Sequence, residues 1–591
     1  MLKRMIIYCL YTPSGRLSNM DLYYINSLKN ICDKFVLVIN GNLTEEDCGK
    51  IKNSNTIIYF RNNTGYDFGA WKYAILKLYK KIINCSELVL CNNSCYGPFY
   101  DLGKIFDVME QKKCDFWGMY KHREVKNAFP EHLQSYFLVF KNRILKSRAF
   151  YSYWLSLQEP CNFPDAINKE THLTKYFSDQ GFSYDSYIDN KKFKYYNNVS
   201  IFQPVDLLRQ GFPLLKKKVF AENFYFLLKV SNANQAVDAI SFLKNNYRNF
   251  YKEIKEDLIN TRKNTDLIQR FRLVYPISGK CEENINTNKK ILIVLYDSNT
   301  DAFDIALSHL KKLPTFVDIY IIAENDFIAK RWNEAKNDYK LNIINVSENG
   351  LGKNNFMVFW LLCWKTIDRY DYVCFLRTKF SVSYNYILPE HELLTRYFDN
   401  IIYDARFVNG IFSLFDKNED IGLIVPPIPM NPELPNSLKC NRWEEEYGAA
   451  QNIYRKLKLT VPLDDYFLGS CNGMMWFRPK AFSIIRNYLK ENGKLPYYDF
   501  IGKSSEYNLA FSKLYPAIAQ QSGFLTAIAY PTTDGVANYI SEVVTPQNRG
   551  YSSIYEIIND KNYKIKSKAL KKIILKYLRD KFKKIIGKHF S

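Results

Sequence analysis

One block of short apolar runs and intervening helical stretches occurs twice along the chain, in the same order, and it constrains the fold more than any other feature. In the first half the runs are MIIYCLYT (5–12), KFVLVINGN (34–42), NTIIYF (55–60) and ELVLC (87–91), with the helical stretch AWKYAILKLYKKII (70–83) before the last. Runs this short, alternating with helical periodicity, predict a largely parallel sheet with helices on both faces. In such sheets ligands bind at the carboxyl ends of the strands. The second half repeats the plan with KILIVLYDS (290–298), VDIYIIAEN (317–325), NIINVSENGLGKNN (342–355), the helix FMVFWLLCWKTI (356–367) and the strand YDYVCFLRTKFS (370–381). Further on, SYFLVFKNRILKS (135–147) is echoed by NGMMWFRPKAFSII (472–485), and ETHLTKYFSDQGF (170–182) by EYNLAFSKLYPAIAQQSGF (506–524). An ordered series of matches predicts an internal duplication.

With 591 residues the chain exceeds what one core serves. The expected division is an α/β domain over 1–230, a helical connector and polar linker over 231–288, a second and more divergent α/β domain over 289–550, and a tail over 551–591. That tail is where the charge concentrates. Residues 561–591 hold 12 Lys or Arg against the single acid Asp580, half of the chain's net +22. Apolar residues Leu570, Ile573, Ile574, Tyr577, Leu578, Phe582, Ile585 and Ile586 recur there at helical spacing. A basic amphipathic helix of this kind lies on an anionic membrane surface, or packs on its own protein with its lysines in water. No nucleic-acid recognition motif accompanies it, so no nucleic-acid partner is expected.

Thirteen cysteines without CxxC pairs and only six histidines argue against a structural zinc site. The longest apolar run, FMVFWLLCW, falls far short of the ~20 residues a spanning helix needs. With no secretory signal recognised, a cytoplasmic protein is expected, peripheral on the inner membrane through its tail.

The order strand, Asn-x-Gly loop (RNNTGYDFGAW, 61–71), helix, strand and polar motif (Asn92-Asn93-Ser94) is similar to the opening of nucleotide-sugar transferases of the GT-A kind. A sugar leaving as a nucleoside diphosphate develops negative charge that must be neutralised. In such enzymes the polar motif holds a divalent ion through carboxylates, the natural ligands of Mg²⁺ or Mn²⁺. The same layout calls for a carboxylate at the start of a later helix, acting as general base on the acceptor hydroxyl while an oxocarbenium-like centre is attacked. Glu170 is the candidate. Its alternative is an exposed first-turn Glu favoured by the helix dipole.

The stretches NTGYDFGAWK, NNSCYGPF, HLQSYFLVFK and QPVDLLRQGFPLLKKKVF resemble the rhamnan synthesis protein F family of bacterial glycosyltransferases, as does GSCNGMMWFRPKAF (469–482) in the second half. The resemblance implies two tandem GT-A-like domains. It also implies transfer of a sugar, often rhamnose, from a nucleotide-sugar donor to a lipid-linked glycan acceptor during cell-surface polysaccharide assembly. Carried onto this chain, it puts Asn63, Gly65 and Asp67 on the donor-side loop and Asn92, Asn93 and Ser94 at the diphosphate. His132, Gln134 and Ser135 fall at the acceptor cleft, and Lys216 with Lys217 at phosphate or on a solvated surface.

Two departures bear on the chemistry. The family carries Asn-Asp-Ser where this chain has Asn92-Asn93-Ser94, and an amide is a poorer cation ligand than a carboxylate, which puts Mg²⁺ or Mn²⁺ in question. Lysines and a helix N-terminus are the other way to carry the phosphate charge. In the second half the matching strand ends Arg377-Thr378-Lys379, Gly352-Lys353-Asn354 replaces the Gly-Tyr-Asp of the first loop, and Glu506 echoes Glu170. Two other functions stay open: a non-catalytic glycan-binding or scaffold module, and a sugar-phosphate transferase. Gly65 and Gly69 could serve turn geometry alone, Asn92 and Asn93 could satisfy a loop, and Tyr136, Phe137, Trp476 and Phe477 are expected in the core.

Overall fold

The computed structural model describes residues 2–190, 193, 196, 198–222, 224–277, 289–348, 358–379, 390–427, 443, 446–464, 473–496 and 504–532. The tail, the Gly352-Lys353-Asn354 loop and residues 278–288 of the polar linker lie outside them. Contacts divide the chain into two units, Met1–Leu258 and Ile259–Ser591.

The first unit is built on β1 (Leu2–Leu10), β2 (Lys34–Asn40), β3 (Thr56–Arg61), β4 (Cys85–Asn92), β5 (Cys95–Tyr96), β6 (Phe116–His122), β7 (His132–Leu133), β8 (Phe137–Lys141), β9 (Tyr184–Ile188) and β10 (Leu215–Lys216). Its main sheet runs β3-β2-β1-β4-β8-β6-β7, with β9 on β6. The central strands read as unbroken apolar runs because both faces are buried. Along β1, Ile6, Tyr8 and Leu10 enter one core, while Met5, Ile7 and Cys9 enter the other. On β2, Phe35, Leu37 and Ile39 join the first core and Val36 and Val38 the second. The helix Tyr66–Ile82 covers the second face, with Trp71 fully buried and its Nε1 donating to Cys91 O at 3.2 Å. Arg4 on β1 is held by Glu87 on β4, Nε to Oε2 at 2.8 Å, under the Phe106 ring.

After β10 the helix Gln235–Asn246 packs on the helix Pro204–Arg209. Phe250, further along, packs on Tyr23 and Phe99, and the Tyr96 hydroxyl donates to Asp257.

The second unit comprises β11 (Val274–Ile277), β12 (Ile291–Asp297), β13 (Asp318–Ala323), β14 (Ile343–Glu348), β15 (Tyr372–Arg377), β16 (Ile421–Val425), β17 (Met475–Phe477) and β18 (Leu525–Pro531). Its sheet runs β11-β18-β16-β17-β15-β12-β13-β14. Strand for strand, β3-β2-β1-β4-β8-β6-β9 and β14-β13-β12-β15-β17-β16-β18 share both order and sense. The pairings outward from β1 and β12 are parallel. In each sheet one antiparallel strand is inserted, β8 or β17, and the last pairing is parallel again. The α/β class and mostly parallel sheets read from the sequence are therefore those of the structure. Tyr136, Phe137, Trp476 and Phe477 are buried, as expected.

Candidate active site

The loop 61–71 is shaped by its own side chains. Arg61 at the end of β3 donates to Asn40 Oδ1 (3.2 Å), Thr64 O (2.8 Å) and Glu159 Oε2 (2.8 Å). Asn40, ending β2, donates to Tyr66 O at 2.9 Å. Gly65 caps the helix Tyr66–Ile82 at φ 66°, where a Cβ would stand 2.5 Å from the Glu159 carboxylate. Any side chain there is doubly penalised. Gly69 needs no special dihedral, but its missing Cβ makes room for Glu159 and Arg61.

Asp67 in the first helical turn reaches across to β4. Its Oδ1 accepts from Phe68 N (3.0 Å) and its Oδ2 from Asn92 Nδ2 (2.8 Å). Asn92 Oδ1 accepts from both Ser94 N (3.1 Å) and Ser94 Oγ (2.6 Å). Asn93 turns away from this network. Its Oδ1 accepts from Tyr11 N (3.3 Å) and its Nδ2 donates to Tyr11 O (2.9 Å), closing both backbone groups past β1. A carboxylate could make only the first of these bonds.

Glu170 comes from the helix Phe163–Asp179, capped by Asn162 with Pro164 in its first turn. The expected position at a helix start is corrected here: Glu170 lies two turns in, because the helix begins at Phe163, and the first-turn dipole reading falls with it. Its Oε2 accepts from Ser135 N (3.1 Å) and from Ser135 Oγ in a short bond, and its Oε1 from Gln134 Nε2 (3.4 Å). Burial, with the Glu170 carboxylate nearby, pushes Asp67 up to about 6 although its side chain is partly solvent-accessible.

These segments meet in one cavity of about 530 Å³ at the carboxyl ends of β1, β2, β4 and β6. Asn63, Asp67, Asn92, Asn93, Ser94, His132, Gln134, Ser135, Glu170 and Lys216 all line it; Gly65 shapes the loop from behind. Lys216 rests over the Tyr136 ring (4.7 Å) and has no ion-pair partner among the described residues. Lys217 also lines the cavity but is committed to the buried Asp21 (2.8 Å). Sequence reasoning missed His122, Tyr11 and Asn40. Each ends or follows a strand whose carboxyl end faces the cavity, and that position was the only signal.

A divalent cation at Asn92-Asn93-Ser94 does not fit what stands there. The strand end carries no carboxylate, Asn92 Oδ1 is doubly bonded to Ser94, and Asn93 is spent on Tyr11. Among the described residues no three His, Cys, Asp or Glu side chains converge to hold a metal.

In the second unit the same positions look different. Arg377 is fully buried (0% exposed), and burial pushes its guanidinium down to about 9. Thr378 occupies the place of Asn93 and does the same job: its Oγ1 accepts from Ser298 N (3.0 Å) and donates to Asp297 Oδ1 (2.7 Å). Both units thus tie the residue after this strand to the loop after the first strand. Lys379 is half-buried beyond it, and Glu506 lies near the start of the helix Ser504–Lys513.

Two mostly parallel α/β sheets, with a polar cleft at the strand ends of the first, define a two-unit α/β protein. The rhamnan synthesis protein F profile matches residues 35–498, and the chain belongs to that family. An uncharacterised protein of Sinorhizobium fredii, y4gN, is 29% identical over 202 residues, which cover 33% of this chain and 52% of that one. The chain thus spans about half the length of this curated relative. Among solved structures, the glycosyltransferase GlyE of Streptococcus pneumoniae is 12% identical, with 62% of this chain and 84% of that one covered at a TM-score of 0.23. Glucosyl-3-phosphoglycerate synthase of Mycobacterium tuberculosis, in complex with Mn²⁺, UDP and glucosyl-3-phosphoglycerate, is 10% identical over 44% and 80% at a TM-score of 0.20. At such scores the likeness carries no weight here.

Proposed function

We propose that the protein is a glycosyltransferase that binds a nucleotide sugar in the cleft of its first unit and passes the sugar to a growing cell-surface polysaccharide. One observation carries the reading: segments 61–71, 92–94, 132–135, 170 and 216, far apart in sequence, line a single cavity at the strand ends. Its size suits a ligand of nucleotide-sugar dimensions. Lys216, a lining cation without an ion-pair partner among the described residues, meets the diphosphate and stabilises it as it leaves. Asn63, Asp67, Asn92 and Ser94 form the donor side. Glu170, oriented by Ser135 and Gln134, takes the proton of the acceptor hydroxyl as attack proceeds, which gives inversion at the anomeric carbon. Rhamnose is the first sugar to test, and a lipid-linked glycan the first acceptor.

The matching strand orders support two GT-A-like domains derived by duplication. The buried Arg377 favours a second unit that does not repeat the chemistry and serves to bind or scaffold the glycan. Lys379 and Glu506 are its remaining candidates. No helix of the described residues is long and apolar enough to cross a membrane. Attachment to the cytoplasmic face falls to the basic stretch 561–591, testable by sedimentation with anionic against neutral vesicles.

The activity is tested by incubating the protein with a panel of nucleotide sugars and following release of the nucleoside diphosphate. Release across the panel at background level overturns the reading. Phosphate retained on the product would make the protein a sugar-phosphate transferase instead.

A further inference from the structure

His122 ends β6 and His132 opens β7, and their rings stack in parallel across this hairpin, 5.0 Å between centroids and 10° apart. Phe129 closes edge-on against both. The two imidazoles are 5% and 1% exposed, and both line the cavity. His122 Nδ1 lies 2.8 Å from Arg123 O, and His132 Nδ1 lies 2.8 Å from Pro130 O. A carbonyl can only accept, so each Nδ1 carries the hydrogen and donates it. When the rings are neutral, each Nε2 is left as a bare lone pair. Neither Nε2 has a partner among the described residues.

Burial holds both rings below the usual histidine range. Glu170 pulls each of them up, Lys216 pushes His122 down, and His172 pushes His132 down. The neutral form is therefore favoured at pH 7. Each Nε2 opens onto the cavity, where a ligand hydroxyl can take the place of water as its donor.

We propose that His122 and His132 form a hydrogen-bond-accepting wall that receives two neighbouring hydroxyl groups of a sugar. This rests on the glycosyl-transfer reading and deepens it. Hydroxyls fit because they bring hydrogens to paired lone pairs without bringing charge into a buried site. A metal fits less well: these rings and Glu170 do not converge as a ligand set. The sugar is either the one being transferred or one on the acceptor glycan, since Glu170 borders both.

The test uses full-length protein with ¹⁵N-labelled histidine. Six histidines in the chain keep the long-range ¹H–¹⁵N spectrum assignable through His122→Phe and His132→Phe variants. In the free protein both rings should show a protonated Nδ1 and a bare Nε2; a protonated Nε2 on either overturns the proposal. One arm adds nucleotide sugars against their matching nucleoside diphosphates. The second adds methyl glycosides, methyl rhamnoside first, with the nucleoside diphosphate present. A shift of both Nε2 signals in the first arm assigns the wall to the transferred sugar, and in the second arm to the acceptor. Each Phe variant should then weaken that sugar ~10-fold, the worth of one hydrogen bond of about 1.4 kcal/mol, and leave the nucleoside diphosphate unchanged. Diphosphate binding with unmoved histidine signals in both arms overturns this inference alone. No nucleotide binding in either arm overturns the glycosyl-transfer reading with it. A shift given by Zn²⁺ and by no sugar makes the pair a metal site and refutes the wall.

Discussion

Replacing Asn93 with Asp is the most informative single perturbation, because it puts a carboxylate at the strand end where a cation-holding motif would need one. In the structure the change destroys a bond. Asn93 Nδ2 donates to Tyr11 O at 2.9 Å, and a carboxylate oxygen in its place would face that carbonyl with no hydrogen between them. The other contact, from Tyr11 N at 3.3 Å, would survive and strengthen. The loss of a net ~0.5–1.5 kcal/mol bond, with repulsion between two oxygens added, puts the cost at about 1–2 kcal/mol at pH 7. For a unit of this size that lowers the midpoint of its thermal transition by about 2–8 °C. Scanning calorimetry of Asn93→Asp against the unaltered protein reads it directly. The deficit should shrink near pH 4, where a protonated carboxyl regains a hydrogen to donate. Mn²⁺ should not restore it. Equal midpoints at pH 7, or a gain in stability with Mn²⁺ that the unaltered protein lacks, would show that position 93 is free to face a cation and would refute the tie.

Four further outcomes follow from the same contacts. Glu170→Gln should cut turnover by 10²-fold or more, the lower range for a general base, while donor affinity changes little; retained turnover removes Glu170 from that role. Glu87→Ala leaves the buried Arg4 without its carboxylate and should destabilise the first unit by about 3–5 kcal/mol in urea unfolding, whereas a cost below ~1 kcal/mol would mean the pair is screened. Asp67, raised from 3.8 to about 6 chiefly by burial, binds its proton more tightly folded than unfolded. Stability is therefore highest below pH 4 for this group and falls as pH rises through 6, by ~1–3 kcal/mol after allowing for its partial exposure, and Asp67→Asn should flatten that fall. Thr378→Val removes the second unit's tie to Ser298 and Asp297 and should cost about 1–3 kcal/mol; a neutral result would break the parallel with Asn93.

The fold was legible in the sequence because parallel strands buried on both faces leave continuous apolar runs, and here two sets of them come in the same order. The site was legible in part. Asn63, Asp67 and Asn92 could be placed near one another because loop and strand ends in such a sheet fall at one edge, and Glu170 through the resemblance to GT-A enzymes. What the spacing could not carry is which way a side chain turns. Asn93 turns to Tyr11, Lys217 to Asp21, and Arg377 into the interior, each decided by partners distant in the chain. His122 had no signal beyond its place at a strand end: a lone histidine there reads as core until the hairpin partner His132 stacks on it. The sequence suggests a helix start at Glu170, but the break that begins the helix, Asn162 with Pro164, lies six to eight residues earlier.

On the proposed function, the cleft of the first unit binds a nucleotide sugar through Lys216. Calorimetric titration of the full chain with UDP-, dTDP- and GDP-sugars, comparing Lys216→Met with Lys379→Met, tests it most directly. At least one donor should bind, weakened ~10-fold or more by Lys216→Met through loss of a charge-assisted contact and left intact by Lys379→Met. Absence of binding by every donor, or loss of binding on Lys379→Met with Lys216→Met unaffected, contradicts it.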